Sequence, residues 1–205
     1  MKFEGQDSMR DQWYGDNRDL VKWGVLLELG RRFGLKHVLQ VLYYRPSTYG
    51  RLEIDGQECD LPRAAVHHFR RATAVSALEG IAKVDVIEEP FDDRVQYLAL
   101  LLNRIDSRTI RPGIVFLDPD TGLEPRVPGL EHVREDELRA IWGRLRAQDM
   151  LVVYQHQTNR GGLPWVDAKK SQCERALGVS PGSVKLAQAP AIAKDVAFFY
   201  ITKGG

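Results

Sequence analysis

The sequence predicts an α/β fold of three layers, built on a mostly parallel, Rossmann-like sheet with a C-terminal antiparallel hairpin. Short apolar runs rich in branched residues alternate with longer runs of helical periodicity, which is the order expected of repeated β-then-α units. The last two strand-like runs, 183–189 and 195–202, have too few residues between them for a crossover helix. We therefore expect those two strands to pair antiparallel.

Each element has its own local signal. The spacing of Leu20, Trp23 and Leu27 predicts a first helix over 16–33, which Gly34 ends. The run HVLQVLYY predicts a buried strand over 37–44, because it is rich in branched and aromatic residues. The same reasoning predicts strands at 84–89, 114–117 and 150–156 and helices at 61–78, 91–104, 135–147 and 167–177, the third helix beginning behind Pro90 and the last ending at Gly178.

Composition limits the class of protein. A chain of 205 residues, 43% of them apolar, suits a single domain over 1–205. The formal net charge of +1 provides no global field for nucleic acid or membrane, so a charged partner must bind a local patch. The two cysteines are too few for a disulfide framework or a thiolate metal site. With no long apolar stretch and no signal-peptide pattern, we expect a soluble, cytoplasmic protein without a membrane partner.

The stretch GIVFLDPDTGLEP, residues 113–125, ends an apolar strand in a cluster of acidic residues. Asp118, Asp120 and Glu124 follow that strand directly, and His156 follows the next one. In open α/β sheets the ligand crevice lies beyond the carboxyl ends of the strands, so these side chains should share one edge if the two strands are neighbours. The alternative is an ordinary Asp-Pro turn with Gly122 at positive φ.

The start of the first helix is a third polar segment. Asp16 stands at the N-cap position, Asp19 stands in the first turn, and Lys22 can pair with Asp19 one turn on. Capping does not explain Tyr14 and its aromatic neighbour just before the cap. We therefore include residues 14–22 in the candidate site, together with 118–124 and 155–160.

Two resemblances concern these motifs. The runs YGDNRDLVKWGVL, VLYYRPS, VFLDPDTGLE and VVYQHQ resemble, in this order, an uncharacterised bacterial and phage family that begins GD-x-x-D-x-x-K-[YW]-x-x-L. The start and the acidic-Pro turn are also similar to the bacterial ribosomal-RNA adenine-N6 methyltransferases, which carry an N-H-A-D-x-x-K-H helix and a D-P-P-Y turn. That similarity implies a methyltransferase-like sheet and methylation of a nucleic-acid adenine amino group from S-adenosylmethionine.

The resemblance also assigns residues. In such enzymes the turn holds the target amino group with its carboxylate, a role that falls on Asp118, and the whole polar edge makes Asp118, Asp120 and His156 the catalytic candidates. Thr121 replaces the stacking aromatic, so Tyr154 or Trp165 would have to stack on a base. The usual Gly-rich turn after the first strand is replaced by YYRPSTYG, which implies a rebuilt or absent cofactor pocket. The candidate cofactor-binding residues are Tyr14, Asp16, Asp19, Lys22, Tyr44 and Glu88.

Two other classes of function fit the same residues. A metal-dependent phosphodiesterase or nuclease would hold Mg²⁺ or Mn²⁺ with Asp118, Asp120, Glu124 and His156. A non-catalytic nucleic-acid-binding module on the same scaffold would explain the missing Gly-rich turn. Nucleic acid would contact cations on the second helix and on the loop 157–164, which we predict to act as a lid: Arg63, His67, Arg70, Arg71 and Arg160.

Overall fold

The structure, a computed structural model, describes residues 17–43, 45, 51–54, 56–60, 83–157 and 164–204. These residues form helices α1 (Asn17–Phe33), α2 (Arg94–Ser107), α3 (Glu135–Arg144) and α4 (Trp165–Leu177), and strands β1 (His37–Val41), β2 (Arg51–Ile54), β3 (Gln57–Asp60), β4 (Lys83–Ile87), β5 (Ile114–Leu117), β6 (Gly122–Leu123), β7 (His132–Val133), β8 (Met150–His156), β9 (Lys185–Ala189) and β10 (Ala193–Thr202).

The main sheet has the strand order β4-β1-β5-β8-β10-β9. Strands β4, β1, β5 and β8 are parallel, whereas β10 runs antiparallel to both β8 and β9. The predicted mostly parallel sheet with a C-terminal antiparallel hairpin is therefore confirmed, and so is the predicted parallel pairing of the 114–117 and 150–154 runs. Because β5 is central, all four of its residues are buried, as expected of a strand covered on both faces.

Helices cover both faces of the sheet. α1 packs over one face, where Val38, Phe116 and Phe198 form its core. α2, α3 and α4 pack over the other face against Leu39, Leu117 and other strand residues. Alternation along each strand decides which side chains face which helix layer. Side chains two residues apart in a strand point to the same face. The residues two positions before Gln40, Asp118, Tyr154 and His156 all belong to the core beneath α1, so these four side chains also face α1.

Some elements differ from the prediction, and one predicted helix lies outside the described residues. α2 begins at Arg94 and not at Phe91, because the Asp93 carboxylate accepts the backbone N–H groups of Val95 and Gln96 and so caps the helix. The β2–β3 hairpin and the short β6–β7 pair were not predicted from the sequence. The predicted helix 61–78 lies outside the described residues. No helix in the described part of the chain is both long and apolar enough to cross a bilayer.

Candidate functional site at the carboxyl edge of the sheet

The strand order changes direction at β1. From β1 the chain moves to β4 on one side and then crosses to β5 on the other side. In open α/β sheets this change creates a crevice at the carboxyl ends of the two strands, and ligands bind there. Tyr43 and Arg45 follow β1 at this point, and Asp118 and Asp120 follow β5.

A buried cluster of charged and polar groups lies at this change of strand direction, beneath α1. Lys22 Nζ is 2.9 Å from Asp118 Oδ2 and 3.0 Å from Asp19 Oδ1. Gln40 Nε2 donates to the same Asp118 oxygen at 2.8 Å. Asp118 and Gln40 have no exposed surface, and Lys22 is 6% exposed. The predicted pairing of Lys22 with Asp19 is confirmed, and Asp118 is a second partner that no local sequence signal indicated.

The burial of this cluster controls its charges. Burial raises the pKa of Asp118, although Lys22 and Gln40 both favour its ionised form. Burial alone would lower the pKa of Lys22, but attraction to Asp118 and Asp19 outweighs that effect and raises the pKa. Lys22 is therefore a cation held between two carboxylates. The cluster keeps an excess of one negative charge when both carboxylates are ionised.

Two oxygen atoms of the cluster lack a hydrogen-bond donor within the described part of the structure. They are Asp118 Oδ1 and Gln40 Oε1, and both are inaccessible to solvent. A buried acceptor without a donor costs about 1–3 kcal/mol of folding free energy. The described residues therefore leave two acceptors in this cluster whose donors they do not supply.

Asp120 lies close by but has a different partner. Arg45 Nη2 donates to Asp120 Oδ2, an ion pair that joins the segment after β1 to the segment after β5. No local sequence signal indicated this contact of Arg45. The pair holds the two sides of the crevice together, which is a structural contribution of Asp120 whatever its role in chemistry.

His156 lies on the same edge and face as Asp118 but belongs to a second polar group. Its Nε2 is 3.1 Å from Asp195 Oδ2 and its Nδ1 is 3.1 Å from the Gln157 carbonyl oxygen. Arg18 of α1 also donates to Asp195, and this hydrogen bond lowers the pKa of the Asp195 carboxyl. Since both ring nitrogens face acceptors, His156 serves here as an anchor between β8, β10 and the first turn of α1.

The turn after β5 is held by Gln155. Its Oε1 accepts the Leu123 backbone N–H at 2.9 Å, and its Nε2 donates to the Thr121 carbonyl at 2.8 Å. Gly122 has φ +107, and a Cβ there would come within 2.4 Å of the Gln155 side chain. The positive φ of Gly122, which the alternative of an ordinary turn predicted, is confirmed, and close packing on Gln155 is a second reason for glycine.

The alternative metal site is not assembled. Asp118 and Asp120 bind Lys22 and Arg45, and His156 binds Asp195. Glu124 Oε1 accepts the backbone N–H of Glu135, at the start of α3. Within the described ranges, no group of three or more His, Cys, Asp or Glu side chains could hold a metal ion. The four proposed ligands fail because each is already engaged by a different residue.

The aromatic residues near the site pack in the core. Tyr154 is 6% exposed and lies edge-on to Phe198, with Lys22 Nζ 5.4 Å from its ring centroid. Trp165 begins α4 and packs against the core on the opposite face. A base-stacking role for either residue is therefore unsupported by its position.

Tyr43 occupies the place of the expected Gly-rich turn. Its φ is +50, a conformation that bulky residues rarely adopt. Its ring packs on Phe91 and Tyr97 with centroids 5.1 Å and 5.6 Å apart, and its backbone N–H donates to the Tyr97 hydroxyl at 3.3 Å. Aromatic packing therefore stabilises a left-handed backbone conformation, which glycine adopts without steric penalty.

Glu88 is exposed at the end of β4, beside β1 on the carboxyl edge. This is the position from which an acidic residue contacts a ribose in nucleotide-binding α/β folds. The remaining candidates lie outside the described residues, as does most of the predicted 157–164 lid: Tyr14, Asp16, Tyr44, Arg63, His67, Arg70, Arg71 and Arg160.

No protein-family model matches the sequence, and no curated protein matches it. The solved structures to which this chain is similar include the following three. An O-methyltransferase family protein from Burkholderia thailandensis is 11% identical, with 92% of this chain and 58% of that chain covered and a TM-score of 0.43. A putative methyltransferase from Thermobifida fusca is 14% identical over 92% and 80%, with a TM-score of 0.41. The structure of PigF with SAH is 14% identical over 98% and 63%, with a TM-score of 0.34.

Proposed function

We propose that this protein transfers a methyl group from S-adenosylmethionine to an amino group of a nucleic acid, with adenine as the preferred base. The observation that carries the proposal is the pair of buried acceptors, Asp118 Oδ1 and Gln40 Oε1, at the strand switch between β1 and β5. The similarity of the 118–121 turn to the adenine-N6 methyltransferase turn is a second, independent support.

The acceptor pair favours an amine over a hydroxyl as the group that is bound. A primary amino group has two N–H donors and can satisfy both oxygens, whereas a hydroxyl has one donor. Gln40 Nε2 and Asp118 Oδ2 are already 2.8 Å apart, so the two remaining oxygens belong to adjoining groups. Two acceptors on one nitrogen also fix the direction of its lone pair, which a methyl transfer requires.

The residues divide into different roles. Asp118 and Gln40 hold the acceptor amine, and Glu88 accepts a ribose hydroxyl of the cofactor. Lys22, with Asp19, is a positioning residue that orients Asp118 and favours its ionised form. When bound, S-adenosylmethionine supplies an electrophilic methyl group. Tyr14, Asp16 and Tyr44 remain proposed cofactor contacts.

The test combines stability with activity. S-adenosylmethionine or its demethylated product should raise the unfolding temperature, since a ligand at 100 times its Kd stabilises by about 2.7 kcal/mol. Tritiated methyl groups should then appear on adenine in a nucleic-acid substrate. No shift at millimolar cofactor combined with a clear shift from Mn²⁺ would overturn the proposal. Cofactor binding without transfer to any DNA or RNA would show a non-catalytic module instead.

A pair of matched variants isolates the acceptor role. Gln40→Met removes the unpaired acceptor, and the hydrogen bond to Asp118 with it, at nearly constant volume. The unliganded protein should stay folded, while the affinity for adenosine, which carries the acceptor amine, should fall by roughly 10²-fold. Gln172→Met is the control, because Gln172 donates to the Glu124 carbonyl and the Glu135 carboxylate away from the crevice. Gln172→Met should be less stable than the parent but should bind adenosine with the same affinity.

A further inference from the structure

The amino-terminal edge of the sheet, opposite the candidate site, is strongly basic. We define the basic edge as residues 34–36, 83, 108–113, 145–149 and 203–204, which lie where strands β1, β4, β5 and β8 begin and β10 ends. Within these described residues one acidic side chain, Asp149, stands among six basic ones: Lys36, Lys83, Arg108, Arg111, Arg146 and Lys203.

The six cations lie at the adjoining ends of five neighbouring strands, and we call this row of residues the stripe. The Lys83 N–H donates to the Lys36 carbonyl at 2.8 Å, which joins the two ends beside β4 and β1. Asp149 joins the others, since it accepts from Arg108 Nη2 at 2.7 Å and from the Arg146 N–H at 3.0 Å. The Lys203 N–H donates to the Asp149 carbonyl at 2.8 Å.

The positive charge is only partly neutralised. Asp149 is fully buried and compensates one guanidinium, and Asp85 lies 3.7 Å from Lys83. The four described helices also end at this edge, and each adds roughly half a negative charge. About two positive charges remain. The exposed cations are Lys36, Lys83 and Arg146, since Arg108 and Arg111 are largely buried beside Asp149 and Lys203 Nζ donates to the Trp142 carbonyl.

The opposite edge has the reverse balance. Of the described residues between the carboxyl ends of the strands and the helices that follow, three are basic, namely Arg45, Arg126 and Arg134. Eight are acidic: Glu88, Glu89, Asp92, Asp93, Asp118, Asp120, Glu124 and Glu131. The formal charge of +1 for the whole chain therefore conceals a separation of charge between the two edges.

We propose that the basic edge binds the phosphate backbone of a single-stranded nucleic acid. Five neighbouring strands reach this edge, and at about 4.8 Å per strand the stripe is roughly 19 Å long. For a stacked strand, whose phosphates are spaced about 3.4 Å along the helix axis, five or six phosphates match that length, and an extended single strand places fewer phosphates over it. A narrow line of cations suits a linear polyanion better than a lipid surface. This contact does not require the cofactor. Asp118 follows the carboxyl end of β5, whereas the basic edge lies at the amino end.

Binding of a fluorescent 20-nucleotide single strand, followed by anisotropy over a range of salt concentrations, tests this surface. The variant Lys36→Glu/Lys83→Glu/Arg146→Glu reverses three exposed cations of the stripe. Its matched control is Arg126→Glu/Arg139→Glu/Lys194→Glu, which has the same change in net charge at three exposed cations elsewhere. The stripe variant should bind at least tenfold more weakly than the control and lose about 2 units of salt slope, at roughly 0.7 per phosphate contact.

Several results would overturn the proposal. One is that the two triple variants have equal affinities and equal salt slopes. Another is that the parent protein does not bind the oligonucleotide in 50 mM salt. A third is that the parent binds anionic phospholipid vesicles more tightly than the oligonucleotide. Thermal unfolding followed by circular dichroism checks that both variants are folded. If charge reversal unfolds the protein, the corresponding Gln triples replace the Glu triples and should show the same order of affinities.

Discussion

Lys22 of α1 and Asp118 at the end of β5 form a buried ion pair, with Nζ 2.9 Å from Oδ2. The pair connects the first helix to the centre of the sheet at the point where the strand order changes direction. Because an ion pair loses much of its hydration when buried, its value to folding depends on both partners being present. This dependence gives the pair a clear experimental signature.

Lys22→Met should lower the free energy of unfolding by about 3–5 kcal/mol, since it leaves Asp118 buried without a neighbouring cation. The double variant Lys22→Met/Asp118→Asn removes the charge as well and should recover a large part of that loss. Urea unfolding of the parent, both single variants and the double variant measures the coupling. Additive effects of the two substitutions would show that the pair is not coupled in solution.

Tyr43 should respond unusually to truncation. Tyr43→Ala loses the packing on Phe91 and Tyr97 and keeps a strained φ of +50, so it should cost about 3–5 kcal/mol. Tyr43→Gly loses the same packing but removes the strain, and should be more stable than Tyr43→Ala by about 1 kcal/mol. Urea unfolding compares the two. A less stable glycine variant would contradict the left-handed backbone at this turn.

The Arg18–Asp195 pair predicts a defined dependence on pH. The hydrogen bond from Arg18 lowers the pKa of Asp195 below its ordinary value of 3.8. A carboxyl with a lowered folded-state pKa stabilises the protein above its unfolded-state value, and this stabilisation is lost as the pH falls through the folded-state value. The stability difference between the parent and Arg18→Gln should therefore be constant at neutral pH and shrink below about pH 4. A difference that grows toward acid pH would contradict the pair.

Local patterns in the sequence were sufficient for much of the fold. The apolar run at 114–117 and the run at 150–156 predicted neighbouring central strands, and the short link before 195–202 predicted the antiparallel pair, because strand periodicity and connection length are local properties. Gly122 at positive φ was equally predictable. The predicted start of α2 at Phe91 is wrong, because Pro90 is a local start signal but the Asp93 side chain provides the cap.

The partners of the site residues could not be predicted in the same way. Asp118 was expected at the carboxyl edge, but its contacts with Lys22 and Gln40 join a helix and two strands that are far apart in sequence. The same holds for Arg45 with Asp120 and for Arg18 with Asp195. Such contacts follow from the strand order, which no single segment encodes. For the same reason, the sequence pattern allowed a metal site of Asp118, Asp120, Glu124 and His156, whereas in the structure each of these residues contacts a different partner.

Isothermal titration calorimetry with adenosine, which carries the acceptor amine without a phosphate, in the presence of the demethylated product of S-adenosylmethionine tests the central claim most directly, using two matched aspartates. Asp118 and Asp149 are both fully buried beside central strands and both pair with a cation, but they lie at opposite edges of the sheet. Asp118→Asn should remain folded and bind adenosine at least about 10²-fold more weakly, His156→Ala should weaken binding less, and Asp149→Asn should bind like the parent. Asp118→Asn binding as tightly as the parent, or no binding by the parent itself, would contradict a ligand site at Asp118.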